Sequence, residues 1–191
     1  MWVSLRVPIE PVCQVTMVGT GNIAVIANRD GVDSQSLLAE AAAEWRSRGV
    51  RVVGVIARDH DAGDGSCSAG FLQDIVSGNR FSIHLDAAPA GTACHLDAGG
   101  VDCACAGLLP QIPSGDIVVL SKFGKLEAAR QGLRAAFEAA IATGKPVLTT
   151  VSPRHADTWK VFVPTALRLT PDMASLDRWW RAMRIQAWPA E

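Results

Sequence analysis

Tyrosine is absent from the 191-residue sequence, and only 19% of its residues are charged. The 18 Lys and Arg residues balance 19 Asp and Glu residues, so the formal net charge is −1. Because a basic excess is missing, the chain lacks the field that attracts nucleic acid, and we expect no nucleic-acid partner. The most apolar runs, 50–57 and 117–120, are far shorter than the roughly 20 residues of a membrane-spanning helix, and we expect no membrane span.

Residues 1–8 do not combine a basic stretch with a sustained apolar segment, so we expect no signal peptide and a cytoplasmic location. The cysteines are odd in number and irregularly spaced: Cys13, Cys67, Cys94, Cys103 and Cys105. This pattern predicts reduced thiols rather than a disulfide framework. The spacing around Cys94-His95 and Cys103-x-Cys105 is not that of a zinc site, and we predict no metal site.

The length and the 49% of hydrophobic residues fit a single folded domain. We expect an irregular lead-in over 1–21, one α/β domain over 22–185 and a tail over 186–191. Continuously apolar strands are predicted at 23–27, 50–57, 116–120 and 147–151, and such runs are typical of a parallel sheet with both faces covered. Helices are predicted at about 34–48, 101–109, 126–143, 156–163 and 174–185, with a hairpin at 71–75 and 81–85 and a short strand at 167–169. The sequence therefore predicts an α/β fold: a mainly parallel sheet flanked by helices, with an inserted β-hairpin.

Ligands of open α/β sheets bind outside the carboxyl ends of the strands. The segments that follow the predicted strands carry basic and hydroxyl residues, which we interpret as candidate ligand-binding groups: Arg58, Ser121, Lys122, Lys125, Ser152 and Arg154. Such groups supply the donors and fixed positive charge that a phosphate or another tetrahedral oxyanion requires. The alternative interpretation of the lysines is that they are ordinary solvated residues at a helix entrance.

The first strand and helix stand where a phosphate-binding loop would lie, but its defining residues are replaced. Aligned with Gly-x-x-x-x-Gly-Lys-Ser/Thr, the chain has Asn28 and Asp33 at the glycines, Ser34 at the lysine and Gln35 at the magnesium ligand. We expect Asp33 or Ser34 to cap the helix, and we expect no ordinary ATP hydrolysis.

The most specific string is Ser121-Lys-Phe-Gly-Lys-Leu-Glu127. It resembles the Ser/Asn-Lys-Phe-Gly-Lys-x-Glu motif of a bacterial domain family of unknown function that is encoded near molybdate ABC transporters. The segments Gly144 to Val151 and Cys94 to Asp97 match two weaker elements of that family, so the resemblance covers roughly 22–180. The family is itself similar to P-loop nucleoside triphosphatases. The resemblance thus implies a P-loop-like fold.

In those triphosphatases two acids that serve magnesium and water follow the third strand, and Ser121 and Lys122 stand at their positions. The resemblance therefore implies a degenerate P-loop scaffold linked to molybdate or tungstate handling or to molybdenum-enzyme maturation. We assign no catalytic residue and name four secondary binding candidates: Ser34, Cys94, Asp97 and Glu127.

Three functions stay open. The first is a non-hydrolytic binding protein whose ligand is an oxyanion such as molybdate or tungstate, or a nucleotide. The second is a divergent nucleotide hydrolase or transferase that uses Glu127 or Asp116 with magnesium. The third is an adapter that acts through protein contacts, with Trp179 or Trp180 at its surface. A homodimer or a molybdenum-pathway protein is the expected partner.

Overall fold

The computed structural model describes residues 21–27, 31–59, 69–85 and 95–187. Most of the expected lead-in and the end of the expected tail lie outside these residues. So do the sequence-based assignments that concern Asn28, Cys67 and Cys94.

The described residues form seven strands: β1 (Ile23–Ile26), β2 (Val52–Asp59), β3 (Ala69–Asp74), β4 (Arg80–Ser82), β5 (Ile117–Phe123), β6 (Val147–Val151) and β7 (Leu167–Leu169). Between and after them lie the helices α1 (Ser34–Ser47), α2 (Ala98–Leu108), α3 (Lys125–Ala128), α4 (Arg134–Ala142), α5 (Ala156–Phe162) and α6 (Met173–Ala187). Two 3-10 helices cover Leu109–Ser114 and Pro153–His155.

The strands form one sheet in the order β4-β3-β2-β5-β6-β1-β7. Five of them, from β2 to β7 in this order, are parallel, while β3 runs antiparallel to β2 and β4. The predicted α/β fold with a mainly parallel sheet and an inserted hairpin is confirmed.

Helices cover both faces of the sheet. The apolar sides of α2, α4 and α5 pack on one face, and those of α1 and α6 pack on the other. The chain leaves β1 through α1 and leaves the neighbouring β6 through α5, so the two connections cross opposite faces. In sheets of this kind such a divergence opens a crevice at the carboxyl ends of the strands.

The predicted long helix over 126–143 is wrong: the structure has the separate helices α3 and α4 in its place. Two residues of the connection, Arg130 at φ 63° and Gly132 at φ 61°, have left-handed backbone conformations that interrupt a right-handed helix. The carboxylate of Glu127 accepts a hydrogen bond from the backbone N–H of Leu133, which holds the break in place.

The expectation that one of Trp179 and Trp180 is exposed is also wrong, because each side chain is only 5% exposed. Trp179 Nε1 donates a 2.9 Å hydrogen bond to the carbonyl of Gly21, and the ring of Trp180 lies 5.6 Å from that of Trp45 in α1. Helix α6 therefore buries side chains over a wide arc of its circumference, and this arc includes the adjacent residues Trp179 and Trp180. The surface assigned to the adapter hypothesis is part of the core.

Among the residues that the structure describes, no helix combines the length and apolar character needed to cross a membrane.

Candidate functional site

Gln35, at the start of α1, joins three strands through its side-chain amide. Its Oε1 accepts hydrogen bonds from the backbone N–H of Ala57 in β2, at 3.1 Å, and from the hydroxyl of Ser121 in β5, at 3.2 Å. Its Nε2 donates to the backbone carbonyl of Ser121 at 2.9 Å, and the hydroxyl of Thr150 in β6 donates to that same carbonyl at 2.9 Å. Neutral groups therefore fix α1 over the carboxyl ends of β2, β5 and β6.

Gln35 and Ser121 are the residues that the P-loop alignment places at the magnesium-binding positions. The structure brings these positions together, as that alignment requires, but an amide and a hydroxyl occupy them. Magnesium is usually bound by carboxylates, phosphates and water, and this pair supplies no negative charge. Among the described residues, no group of three His, Cys, Asp or Glu side chains is arranged to hold a metal ion.

Asp33 caps α1, as one of the two sequence alternatives predicts. Its Oδ1 accepts a 2.9 Å hydrogen bond from the backbone N–H of Gln35, and its Oδ2 accepts one from the hydroxyl of Ser36. The bond from Ser36 is the main reason why the pKa of Asp33 lies below its ordinary value. A negative charge therefore stands at the helix end whose dipole would otherwise attract an anion.

A cavity of about 300 Å³ opens at the carboxyl ends of β5 and β6, and we call it the β5–β6 pocket. Its lining is Leu72, Ile83, Leu96, Val101, Ser121, Lys122, Gly124, Lys125, Leu126, Glu127, Leu133, Ser152, Arg154 and His155. The side chains of Lys122, Lys125 and Arg154 are exposed, and within the described part of the chain none of them forms a hydrogen bond or an ion pair. Three positive charges thus stand at one pocket without a described counter-ion.

An irregular end of β5 positions Lys122, one of the three cations at the pocket. The pairing of β5 with β6 shifts register between Leu120 and Phe123, so Ser121 turns toward α1 while Phe123 enters the core on the opposite face. Bulges of this kind re-aim side chains next to functional sites. The ring of Phe123 packs edge-on against Trp159, and the backbone N–H of Ser152 donates to the Phe123 carbonyl at 3.0 Å. The segment that carries Lys122 is therefore held beside the end of β6.

Glu127 shapes the wall of the pocket. The residue is 5% exposed; its Oε2 accepts from the backbone N–H of Gly124 at 2.9 Å, and its Oε1 accepts from that of Leu133 at 3.0 Å. Both carboxylate oxygens are bound to the backbone, and within the described residues Glu127 forms no ion pair with Lys122 or Lys125. Its position indicates a structural role in holding the connection between α3 and α4.

A family model described as "Protein of unknown function (DUF2478)" matches residues 23–179, most of the chain. The chain belongs to the DUF2478 family.

Two similar proteins support the P-loop-like fold of this DUF2478 member. The Molybdenum import ATP-binding protein ModC 2 of Bradyrhizobium diazoefficiens is 33% identical over 162 residues, which are 83% of this chain and 18% of the relative. The chain thus spans less than a fifth of the length of that relative. The solution structure of a human cancer-related nucleoside triphosphatase matches with a TM-score of 0.55 and 14% identity, over 88% of this chain and 98% of the other. At that identity the likeness concerns the fold.

The structure brings five of the six primary site candidates of this DUF2478 chain to the β5–β6 pocket, and Arg58 is the sixth. Arg58 lines a groove beside α1, together with Arg46, and its Nε donates to Oε1 of Gln73 at 3.3 Å. Of the secondary candidates, Asp97 caps α2 by accepting from the backbone N–H of Gly99 at 2.9 Å, and Ser34 opens α1.

Asp116, the other acid of the hydrolase hypothesis, lies at the amino end of β5. Lys122 lies six positions further along the strand, a distance of about 20 Å. Its carboxylate forms an ion pair with Arg51, and that partner holds the pKa of Asp116 below its ordinary value. Asp116 therefore does not share a site with the β5–β6 pocket.

Two residues of the candidate site were not among the candidates predicted from the sequence. For Gln35, the one sequence signal was its alignment with the magnesium-binding position of a P-loop. His155 lines the pocket on the 3-10 helix that also carries Arg154, and its place directly after that residue is the signal. The apolar part of the lining comes from β3, α2, α3 and the loop residues Ile83, Leu96 and Leu133, and no sequence pattern connects these segments.

Proposed function

We propose that this DUF2478 protein binds a phosphate-bearing ligand or a tetrahedral oxyanion in the β5–β6 pocket and does not hydrolyse it. The observation that carries the proposal is the set of three cations, Lys122, Lys125 and Arg154, without a described counter-ion at one cavity. Hydrogen bonds from charged donors to an anion are stronger than those between neutral groups. Ser152, which is half-buried, adds a hydroxyl donor to the lining of the same pocket.

Three features support binding without hydrolysis. The pair formed by Gln35 and Ser121 offers magnesium no carboxylate. Both oxygens of Glu127 are bound to backbone N–H groups, so this acid is not arranged to activate water. Asp33 opposes a triphosphate at the start of α1. Phosphoryl transfer depends on a positioned metal ion and a positioned nucleophile, and these residues supply neither.

The ligand candidates are molybdate, tungstate and a nucleotide. The name of the B. diazoefficiens relative combines molybdenum import with ATP binding, and this supports testing both the oxyanions and the nucleotides. A cytoplasmic location, a homodimer and a molybdenum-pathway partner stay predictions.

Isothermal titration calorimetry with molybdate, tungstate, phosphate, ATP and GTP tests the proposal. We expect the double variant Lys122→Ala/Lys125→Ala to bind at least one of these ligands more weakly than wild type. The loss per charge-assisted bond, about 1–3 kcal/mol, corresponds to roughly 5- to 150-fold in affinity. Lys160→Ala is the matched control, because this lysine forms an ion pair with Asp157 and does not line the pocket. Unchanged affinity of the folded double variant for every ligand would refute the site.

A further inference from the structure

The β5–β6 pocket is cationic at one end and apolar at the other. Lys122, Lys125 and Arg154 follow or end β5 and β6, whereas Leu72 in β3 and Ile83 line the opposite part. The pocket thus extends from β3 across β2 and β5 to the end of β6, which is three strand spacings or about 14 Å. A bare tetrahedral anion fills only the cationic part of a cavity with this extent.

The apolar end offers a ligand little besides hydrocarbon. The side chains of Leu72, Ile83, Val101 and Leu133 are each at most 5% exposed. The backbone groups of Ile83 are occupied, because its N–H donates to the carbonyl of Gly70 and its carbonyl accepts from Asp97. These four side chains are already covered by the protein, so the apolar surface left for a ligand belongs mainly to the half-buried Leu96 and Leu126. That surface gains free energy when it is covered by apolar atoms rather than water.

From this polarity we infer that the ligand is an organic phosphate monoester: its phosphate lies at Lys122, Lys125 and Arg154, and an apolar body of about one or two rings lies toward Leu72 and Leu96. The position of the phosphate rests on the proposed function. The inference adds that the pocket prefers an anion with an apolar body over inorganic phosphate or molybdate. Small-molecule sites commonly combine a mostly apolar lining with a few convergent polar groups.

Titration calorimetry with inorganic phosphate, phenyl phosphate and 1-naphthyl phosphate tests the preference directly. The charged head is shared, and the apolar body grows from none to one ring and then two. We expect affinity to increase about tenfold at each step, as burial of ring surface predicts. We also expect the heat-capacity change of binding to become more negative along the series, because it reports burial of apolar surface.

The variant Leu96→Ser tests where the apolar body of the ligand lies within the pocket. Leu96 is half-buried at the apolar end, so we expect the variant to keep the wild-type affinity for inorganic phosphate and to lose most of the gain from the rings. Leu169→Ser is the matched control, since Leu169 is half-buried in β7 and does not line the pocket. If Leu96→Ser does not fold, Leu126→Ser replaces it at another half-buried position of the lining.

The outcomes separate the inference from the function on which it rests. Equal affinity across the three phosphates, with binding still lost in Lys122→Ala/Lys125→Ala, overturns the inference and leaves the proposed function in place. A gain from the rings that survives in folded Leu96→Ser, or in Leu126→Ser where that variant replaces it, places the body elsewhere and also overturns the inference. Binding that does not depend on the lysines overturns both.

Discussion

The hydroxyl of Ser121 donates a 3.2 Å hydrogen bond to the side-chain carbonyl of Gln35, and the two residues are 86 positions apart in the chain. In the P-loop alignment these are the two positions that serve the magnesium ion. The contact keeps the spatial relationship between helix and strand but replaces the charged chemistry with a neutral pair. At these two positions the chain thus carries an amide and a hydroxyl and no carboxylate.

The first prediction concerns catalysis. Because neither Gln35 nor Ser121 supplies a carboxylate, we expect no magnesium-dependent release of phosphate from ATP or GTP. The measurement is phosphate release with and without magnesium, on protein whose ligand binding has been established by calorimetry. Turnover in the usual enzyme range of about 1–1000 per second, abolished by Gln35→Ala, would contradict the prediction.

The second prediction concerns the stability that the Gln35 amide provides. Gln35→Ala leaves the backbone N–H of Ala57 without its acceptor and removes one of two donors from the Ser121 carbonyl. An unsatisfied buried group costs about 1–3 kcal/mol, so we expect the free energy of unfolding in urea to fall by about 2–4 kcal/mol. Gln131→Ala, at an exposed position, is the control and should change the free energy by less than about 0.5 kcal/mol. A loss below 1 kcal/mol in Gln35→Ala would show that water replaces the amide.

The strands and the convergence of Lys122, Lys125 and Arg154 could be predicted because both depend on local information. Apolar runs identify buried strands, and the carboxyl ends of parallel strands always meet at one edge. Arg58 was predicted at the same edge but faces the groove beside α1. A shift of one residue in a strand turns a side chain to the other face, and the pairing of β2 with β3 is irregular between Arg58 and Asp59.

One error concerns a local feature and the other a feature set by distant contacts. The break between α3 and α4 depends on the left-handed Arg130 and Gly132 and on hydrogen bonds that Glu127 accepts from residues three and six positions away. Gly132 is the one helix-ending signal in a stretch rich in alanine. The burial of both Trp179 and Trp180 depends on α1 and Gly21, which are far away in the sequence.

The third prediction concerns Gly132, where a substitution has two separate costs in stability. One is the left-handed backbone, and the other is the contact of a new Cβ with Glu127. Gly132 has φ +61°, and a Cβ there would lie 2.9 Å from Oε1 of Glu127. Gly144 has a similar φ of +66° but has nothing within 4 Å of such a Cβ. A left-handed backbone costs a non-glycine residue about 1–2 kcal/mol, so we expect Gly144→Ala to lose that amount. We expect Gly132→Ala to lose at least about 1 kcal/mol more, because the Glu127 carboxylate must shift or give up a backbone partner. Equal losses in thermal or urea unfolding would show that Glu127 adapts freely.

The fourth prediction concerns the thiols of α2. Cys103 is exposed and Cys105 is buried, as expected for positions two residues apart on a helix, and burial is the main factor that raises the pKa of Cys105. We expect a thiol reagent at pH 8 to label Cys103 in the folded protein and to label Cys105 only after unfolding. Mass spectrometry of the labelled peptides identifies each site, and Cys103→Ser is the control that removes the fast reaction. Rapid labelling of Cys105, or a disulfide involving either residue, would contradict the prediction.

The last prediction asks whether the anion binds at the β5–β6 pocket or at the start of α1. Asp33→Asn keeps an oxygen that can cap the helix, since Asn and Asp are similarly good N-caps, and it removes the negative charge. The hydrogen bond from Ser36 keeps the pKa of Asp33 below its ordinary value, so wild type carries this charge at pH 7. A phosphate bound at the helix end would gain affinity when the charge is removed, by about tenfold at low ionic strength. A phosphate bound among Lys122, Lys125 and Arg154 should change by less than about twofold, because solvent and salt screen the more distant charge. Titration calorimetry of both proteins at pH 7, repeated at higher salt, distinguishes the two locations, and a strong gain in Asp33→Asn would move the site from the pocket to α1.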